Sequence, residues 1–93
     1  MPLIVKNPDV RDTDIGTDGV YQVVLFNDNH NTFDHVIMSL MTVFGHNVAV
    51  AQKVAMEAHT TGKAVAEVEE SEKARQHKGM LESLGLMSEI EKI

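Results

Sequence analysis

YQVVLFNDNHNTFDHV, residues 21–36, contains the clearest structural signals in the chain. It begins with aromatic, aliphatic and β-branched residues, which are typical of a strand. Five polar residues follow without interruption from Asn27 to Asn31, and the apolar spacing of a helix begins at Phe33 and Val36. Turns and helix caps favour Asn and Asp, but those roles do not require five polar residues in a row. The pattern therefore predicts a polar cluster at the edge of a sheet, directly against the start of a helix.

The rest of the chain completes this helix and supplies four further elements by the same kind of pattern. The predicted order begins with a strand at Val20–Phe26, a helix capped by Asn31 or Thr32 and ended by Gly45, and a helix started by Asn47 and ended by Gly62. It continues with a strand at 63–69, a helix capped by Ser71 and ended by Gly85, and a strand at 86–91. The fold class is therefore α+β, a single domain of order β-α-α-β-α-β. A three-stranded antiparallel sheet with three helices packed on one face would bury the apolar stripes of all three helices.

The first nineteen residues differ in character from the rest. They contain two turn-forming triplets, Asn7-Pro8-Asp9 and Thr17-Asp18-Gly19, and four Asp against one Lys and one Arg. This composition predicts a mobile N-terminal arm at 1–19 and a core domain at 20–93.

Composition and charge exclude several classes of function. A net charge of −6 argues against non-specific binding to nucleic acid or to an anionic membrane. The absence of cysteine excludes disulfides and thiolate metal sites. The start of the chain does not have the pattern of a signal or transit peptide, and no apolar run reaches membrane-spanning length. We therefore expect a soluble cytosolic protein.

Two catalytic or metal-binding interpretations of the polar residues find little support. His30, His35, Asp28 and Asp34 offer N and O ligands, but their spacing matches no zinc pattern. Asp28 and His59 could act as an acid and a base, but no nucleophile motif accompanies them. We therefore expect no metal and no cofactor, and an acid/base enzyme remains a secondary hypothesis.

A binding site for a cationic amine fits these residues better. Asn, Asp and neutral His side chains all offer hydrogen-bond acceptors, and together they can surround an ammonium group. Apolar residues of the two helices are expected beside them, namely Phe33, Val36, Ala55 and Ala58. An amine next to an apolar hole suits a peptide N-terminus that has a large first side chain.

The same residues resemble the ClpS family. The similarity covers about residues 20–74 and depends on YQVVLFNDN followed by a helix, and then a second helix that ends in H-x-x-G-K-A. Either half alone would be weak, but the two together are specific. ClpS proteins are adaptors that carry N-degron substrates, which begin with a bulky hydrophobic residue, to a Clp AAA+ chaperone–protease. The family fold has the order β-α-α-β-α-β, and a Clp chaperone of the ClpA or ClpC type is the implied partner of a monomeric adaptor.

The resemblance also implies roles for individual residues. It assigns Asn27, Asp28 and His59 to the substrate's α-amino group, with Asn29 and Asn31 as candidates for additional polar contacts. The implied hydrophobic pocket consists of Phe33, Val36, Ala55, Ala58 and Leu86. Glu72 and His77 on the third helix correspond to positions that face the chaperone.

The chain departs from the family pattern at the same site. Asn29 replaces an acidic residue, so the cage has one formal charge fewer. Phe33 stands where Met usually forms the gate, and Ala55 and Ala58 stand where Met and Val are usual. His77 replaces a Lys on the chaperone-facing side. A plain interaction module remains an alternative, because the order of elements also resembles the C-terminal domain of the ribosomal stalk protein.

Overall fold

The computed structural model describes residues 19–93, so most of the predicted arm lies outside the described residues. The elements are β1 (Val20–Phe26), α1 (Phe33–Phe44), α2 (Val48–Thr61), β2 (Lys63–Glu70), α3 (Ser71–Ser83) and β3 (Ser88–Lys92). The predicted order β-α-α-β-α-β and the predicted α+β class are confirmed.

The sheet has three antiparallel strands in the order β2-β1-β3. Tyr21, Val23 and Leu25 of the central strand belong to the core cluster, as the period of two along a strand requires for one covered face. Val24 is buried as well. The β1–β2 pairing shifts register between Val23 and Val24. The last pair, Phe26 with Lys63, places the end of β1 beside the start of β2.

All three helices contribute small or aliphatic side chains to one core. The buried helix residues include Leu40 and Val43 of α1, Ala51, Val54, Ala55 and Ala58 of α2, and Ala74 and Leu81 of α3. Four alanines in this set allow close approach of helix to sheet, which suits a short chain with few aromatic residues. Within the described residues, no helix has the length and apolar character needed to span a membrane.

Local signals define the helix ends near the polar cluster. Thr32 is the N-cap of α1, where its hydroxyl accepts a hydrogen bond from the backbone N–H of His35 at 3.0 Å. Gly62 ends α2 with φ +98°, a left-handed conformation that residues with a Cβ rarely adopt. Its N–H donates to the carbonyl of Ala58 at 2.9 Å. The connection from α2 to β2 is therefore a single tight turn.

The ends of α3 correct two sequence predictions. Glu70, not Ser71, is the N-cap, and its carboxylate accepts a hydrogen bond from the N–H of Glu72. Ser71 is instead the first helical residue, and it is buried. The last strand begins at Ser88 rather than at position 86, because Leu86 donates its N–H to the carbonyl of Leu81 and so belongs to the turn that follows α3.

Candidate functional site

Two backbone hydrogen bonds bring distant parts of the sequence to one end of the sheet. Asn27 donates its N–H to the carbonyl of Gly62 at 3.0 Å, directly after α2. Phe26 donates its N–H to the carbonyl of Met87 at 3.0 Å, just before β3. The polar run after β1 is therefore fixed to the end of α2, where His59 occupies the last turn. The topology joins the two polar features that the sequence separates by about thirty residues.

The side chain of Asp28 organises the polar loop. Its Oδ1 accepts hydrogen bonds from the backbone N–H groups of His30 at 2.8 Å and Asn31 at 3.0 Å, the arrangement of an Asx-turn. The side-chain amide of Asn31 donates to both carboxylate oxygens, at 3.1 Å and 3.0 Å. Four donor contacts thus hold one carboxylate, and they fix its orientation.

This environment favours the ionised form of Asp28. Burial alone would raise its pKa, but the hydrogen bond from the Asn31 side chain and those from the backbone of His30 and Asn31 outweigh burial. The charge of His30 acts in the same direction, and the net result is a lowered pKa. The loop therefore presents a negative charge throughout the neutral pH range.

A cavity of about 500 Å³ opens beside this loop. The residues that line it are Leu25, Phe26, Asn27, Asp28, Asn29, Asn31, Phe33, Val36, Ala55, Met56, Ala58 and His59. All three residues predicted to hold an amine lie in this wall, as do the two candidates for additional polar contacts. Four of the five predicted pocket residues also line it, and the exception is Leu86.

The mouth of the cavity has a ring on each side. The rings of Phe33 and His59 meet edge to face, with centroids 6.5 Å apart and planes at 79°. Phe33 is the first residue of α1, and its side chain is 39% exposed. Met56 lies one helical turn before His59 and is 50% exposed. Sequence reasoning missed Met56, although its spacing of three from His59 indicates the same face of α2.

Leu86 is not in the wall of this cavity. It is buried, and it lines a second cavity on the other side of Phe26, together with Glu82, Met87, Ser88 and Glu89. The reason is the turn after α3, in which Leu86 hydrogen-bonds back to the helix. The side chain of Leu86 belongs to the buried core.

The two residues predicted to face a chaperone differ in their surroundings. Glu72 is exposed in the first turn of α3. His77 is half-buried: its Nδ1 donates to Glu69 Oε2 at 2.6 Å, and its ring packs edge-on against Phe44 at a centroid distance of 4.9 Å. The side chain of His77 is therefore engaged in contacts within the fold, unlike a free surface lysine.

His35 does not join the acidic residues of the loop. It is half-buried, and its Nε2 lies 2.8 Å from the carbonyl oxygen of Leu84. Among residues 19–93, no group of three or more His, Asp or Glu side chains is placed to hold a metal ion.

Fold and cavity together define a small α+β domain that combines an anionic loop with an apolar pocket. The model of the family described as "ATP-dependent Clp protease adaptor protein ClpS" matches residues 17–89. The chain belongs to the ClpS family, which consists of adaptors of ATP-dependent Clp protease, and the predicted family membership is confirmed.

Several known proteins are similar to this chain. The ClpS adapter of Acetivibrio thermocellus is 32% identical over 71 residues, which cover 76% of this chain and 72% of the relative. The chloroplastic adapter CLPS1 of Arabidopsis thaliana is 40% identical over 72 residues, which cover 76% of this chain but only 45% of the relative. The structure of Agrobacterium tumefaciens ClpS2 bound to L-phenylalaninamide superposes with a TM-score of 0.71 at 28% identity, over 81% of this chain and 98% of that one.

Proposed function

We propose that this protein is a non-catalytic adaptor that binds the N-terminal bulky hydrophobic residue of a substrate and delivers the substrate to a Clp AAA+ chaperone–protease. The observation that carries the proposal is the single cavity that combines Asn27, Asp28 and His59 with an apolar wall. Agrobacterium ClpS2, which shares the fold, is bound to L-phenylalaninamide, a compound with a free amine beside an aromatic side chain.

The polar part of the cavity has the capacity to bind an ammonium group. Within the described residues, Asp28 Oδ2 accepts a hydrogen bond only from Asn31, so it retains acceptor capacity. The side-chain oxygen of Asn27 and the ring nitrogen of a neutral His59 add two further acceptors. Three acceptors match the three N–H donors of an α-ammonium group, and one of them is a full negative charge.

The apolar part of the cavity suits a large first side chain. Ala55 and Ala58 are buried, and their small size leaves depth between α1 and α2. Val36 and Phe33 form the opposite side of the same cavity. A cavity of about 500 Å³ is large enough for a Leu or aromatic side chain together with its amine.

The deciding experiment measures binding of a peptide panel that differs only in residue one. We expect peptides with Leu and aromatic first residues to bind, and peptides with Gly, Ser or Asp there to fail. An acid/base enzyme that uses Asp28 and His59 would instead show turnover of a substrate. A plain interaction module would show no dependence on residue one.

The shape of the pocket should produce selection among hydrophobic residues. Phe33 is stiffer than the methionine usual at this position, because methionine has more rotatable bonds and adapts to different shapes. We therefore expect discrimination between Leu and the aromatic residues, and rejection of β-branched Ile and Val. Phe33→Met should broaden acceptance. Equal affinity for Leu, Phe, Tyr, Trp and Ile in the unmodified protein would contradict this expectation.

His59 should contribute one hydrogen-bond acceptor to the binding of the amine. His59→Ala removes the ring nitrogen from the cavity wall, so this variant should bind a free-amine peptide more weakly than the unmodified protein at neutral pH. Isothermal titration of the same peptide into both proteins measures the difference.

The control for this variant is His30→Gln, since His30 lies in the polar loop but is not part of the cavity wall. This variant should bind the peptide as the unmodified protein does at neutral pH. Unchanged affinity in His59→Ala would mean that His59 only ends α2.

The N-terminal segment should act in delivery and not in peptide binding. Removing residues 1–17 should leave peptide affinity unchanged, because the described residues that line the cavity all fall within 25–59. Degradation of a model N-degron substrate by the partner protease should slow after this truncation. Unchanged degradation would mean that the segment has no role in delivery of the substrate.

We propose that the protein acts as a monomer in the bacterial cytosol, with a ClpA- or ClpC-type chaperone as its partner. The similar adapters include bacterial proteins and a chloroplastic one. Glu72, exposed on α3, is the proposed contact for the chaperone. His77 is less suited to that role, because Glu69 and Phe44 already engage its side chain.

A further inference from the structure

The side chain of Asn31 connects two separate segments at the edge of the cavity. Besides its contacts with Asp28, the Nδ2 group of Asn31 donates to the backbone carbonyl of Gly85 at 2.9 Å. Gly85 is 54 residues away in sequence, in the turn between α3 and β3. The contact therefore joins the polar loop to a part of the fold that lies outside the loop and α2.

Both hydrogens of the Asn31 amide are used in this arrangement. One points to Gly85, and the other is shared between the two oxygens of Asp28. The opposite orientation of the amide would place Asn31 Oδ1 against a carboxylate and a carbonyl, which are acceptors only. The amide orientation is therefore determined by its surroundings, and both amide hydrogens of Asn31 are committed within the fold.

The turn that supplies the carbonyl is itself constrained. Gly85 has φ +88°, a conformation that strains residues with a Cβ. Its N–H donates to the carbonyl of Glu82 at 2.9 Å, and the next residue, Leu86, is buried and donates to Leu81 at 3.0 Å. The turn thus holds the Gly85 carbonyl in a fixed position, and the polar loop is anchored to it through Asn31.

We infer that Asn31 is a positioning residue of the amine site: it fixes the Asp28 carboxylate against the Gly85 carbonyl so that Oδ2 remains available to a ligand ammonium group. This inference deepens the proposed function and rests on it. It adds an indirect role, exerted through Asp28, to the direct polar contact that the sequence predicts for Asn31. The ligand class is a primary α-ammonium group, and Asn31 acts on it through Asp28.

The test compares two ligands that share a first side chain. One is a Leu-starting peptide with a free α-amino group, and the other is its α-hydroxy analogue, which has no ammonium group. Both are titrated into the unmodified protein and into Asn31→Leu, which has a similar volume but no donor. Gln52→Leu is the matched control, because it replaces an exposed amide of α2 outside the cavity wall. A thermal melt establishes that each variant is folded at the assay temperature.

We expect Asn31→Leu to lower affinity for the free-amine peptide by about ten-fold or more, the effect of losing a hydrogen bond to a charged group. Affinity for the hydroxy analogue should be unchanged, and so should the preference between Leu and Phe as first residue. Gln52→Leu should bind both ligands as the unmodified protein does.

Three other results would overturn the inference. If Asn31→Leu bound the free-amine peptide normally, Asp28 would not need Asn31. If affinity for both ligands fell by the same factor, Asn31 would only maintain the shape of the cavity. If the unmodified protein bound the amine and the hydroxy analogue equally well, the proposed function would fail together with the inference. This third result therefore distinguishes failure of the proposed function from failure of the inference alone.

Discussion

Acetylation of the α-amino group of a Leu- or Phe-starting peptide is expected to weaken binding by ~2–4 kcal/mol, the cost of losing a partly buried charged hydrogen-bond network. The acetyl group removes the positive charge and two of the three N–H donors. Asp28 would then keep its charge inside the cavity with no cation opposite it, and Asn27 and His59 would lose a donor. Calorimetric or fluorescence titration of matched free and acetylated peptides measures this difference directly.

The control for this experiment is a peptide that is modified away from its first residue. A peptide acetylated on a lysine side chain several residues along should bind as tightly as the unmodified peptide, because that position lies beyond the cavity. Equal binding of α-acetylated and free peptides would contradict the proposal that an N-terminal residue is recognised. The cavity would then bind a hydrophobic side chain without recognising the α-amino group.

Much of the fold was predictable because strong local signals agree with the tertiary structure. The break from apolar to polar residues after Phe26 defines the end of β1, and Gly62 defines the end of α2. The antiparallel pairing then requires those two ends to be neighbours. The placement of Asp28 and His59 in one cavity therefore follows from the ends of β1 and α2, which have clear local signals in the sequence.

The features that could not be predicted depend on long-range contacts. Glu70 displaces Ser71 as the cap of α3 because Ser71 is buried, and burial at a strand–helix junction leaves no local signal. Leu86 leaves the pocket wall because a hydrogen bond to Leu81 holds it in the turn. The link from Asn31 to Gly85 joins residues whose separation gives no pattern to detect.

A second large effect is expected for Asp28→Asn, which preserves shape and removes the charge. Asn at this position can still accept hydrogen bonds from the backbone N–H groups of His30 and Asn31. Its own amide group would, however, face the amide of Asn31, so one contact becomes a donor–donor clash. We expect the affinity for a free-amine peptide to fall by ~2–4 kcal/mol. Affinity for an acetylated peptide, which has no cation, should change little.

The same variant should lose about 1 kcal/mol of folding stability at neutral pH, because the loop loses hydrogen bonds to a charged acceptor. The folded-state pKa of Asp28 is lowered, so the ionised carboxylate stabilises the fold above the unfolded-state value of about 3.9. That contribution is lost as the pH falls through the folded-state pKa. Denaturation of the unmodified protein and Asp28→Asn should therefore give a difference in free energy of unfolding that is constant from neutral pH down to about pH 5 and shrinks below about pH 4.

Asp34→Asn provides the matched control for this stability profile. Asp34 lies in the first turn of α1 and is exposed outside the cavity wall, so its charge contributes through the helix terminus alone. This variant should lose some stability but keep full affinity for the free-amine peptide. If Asp28→Asn lost stability but bound the peptide with full affinity, Asp28 would serve only to shape its loop. The ammonium group would then have to be bound by Asn27 and His59.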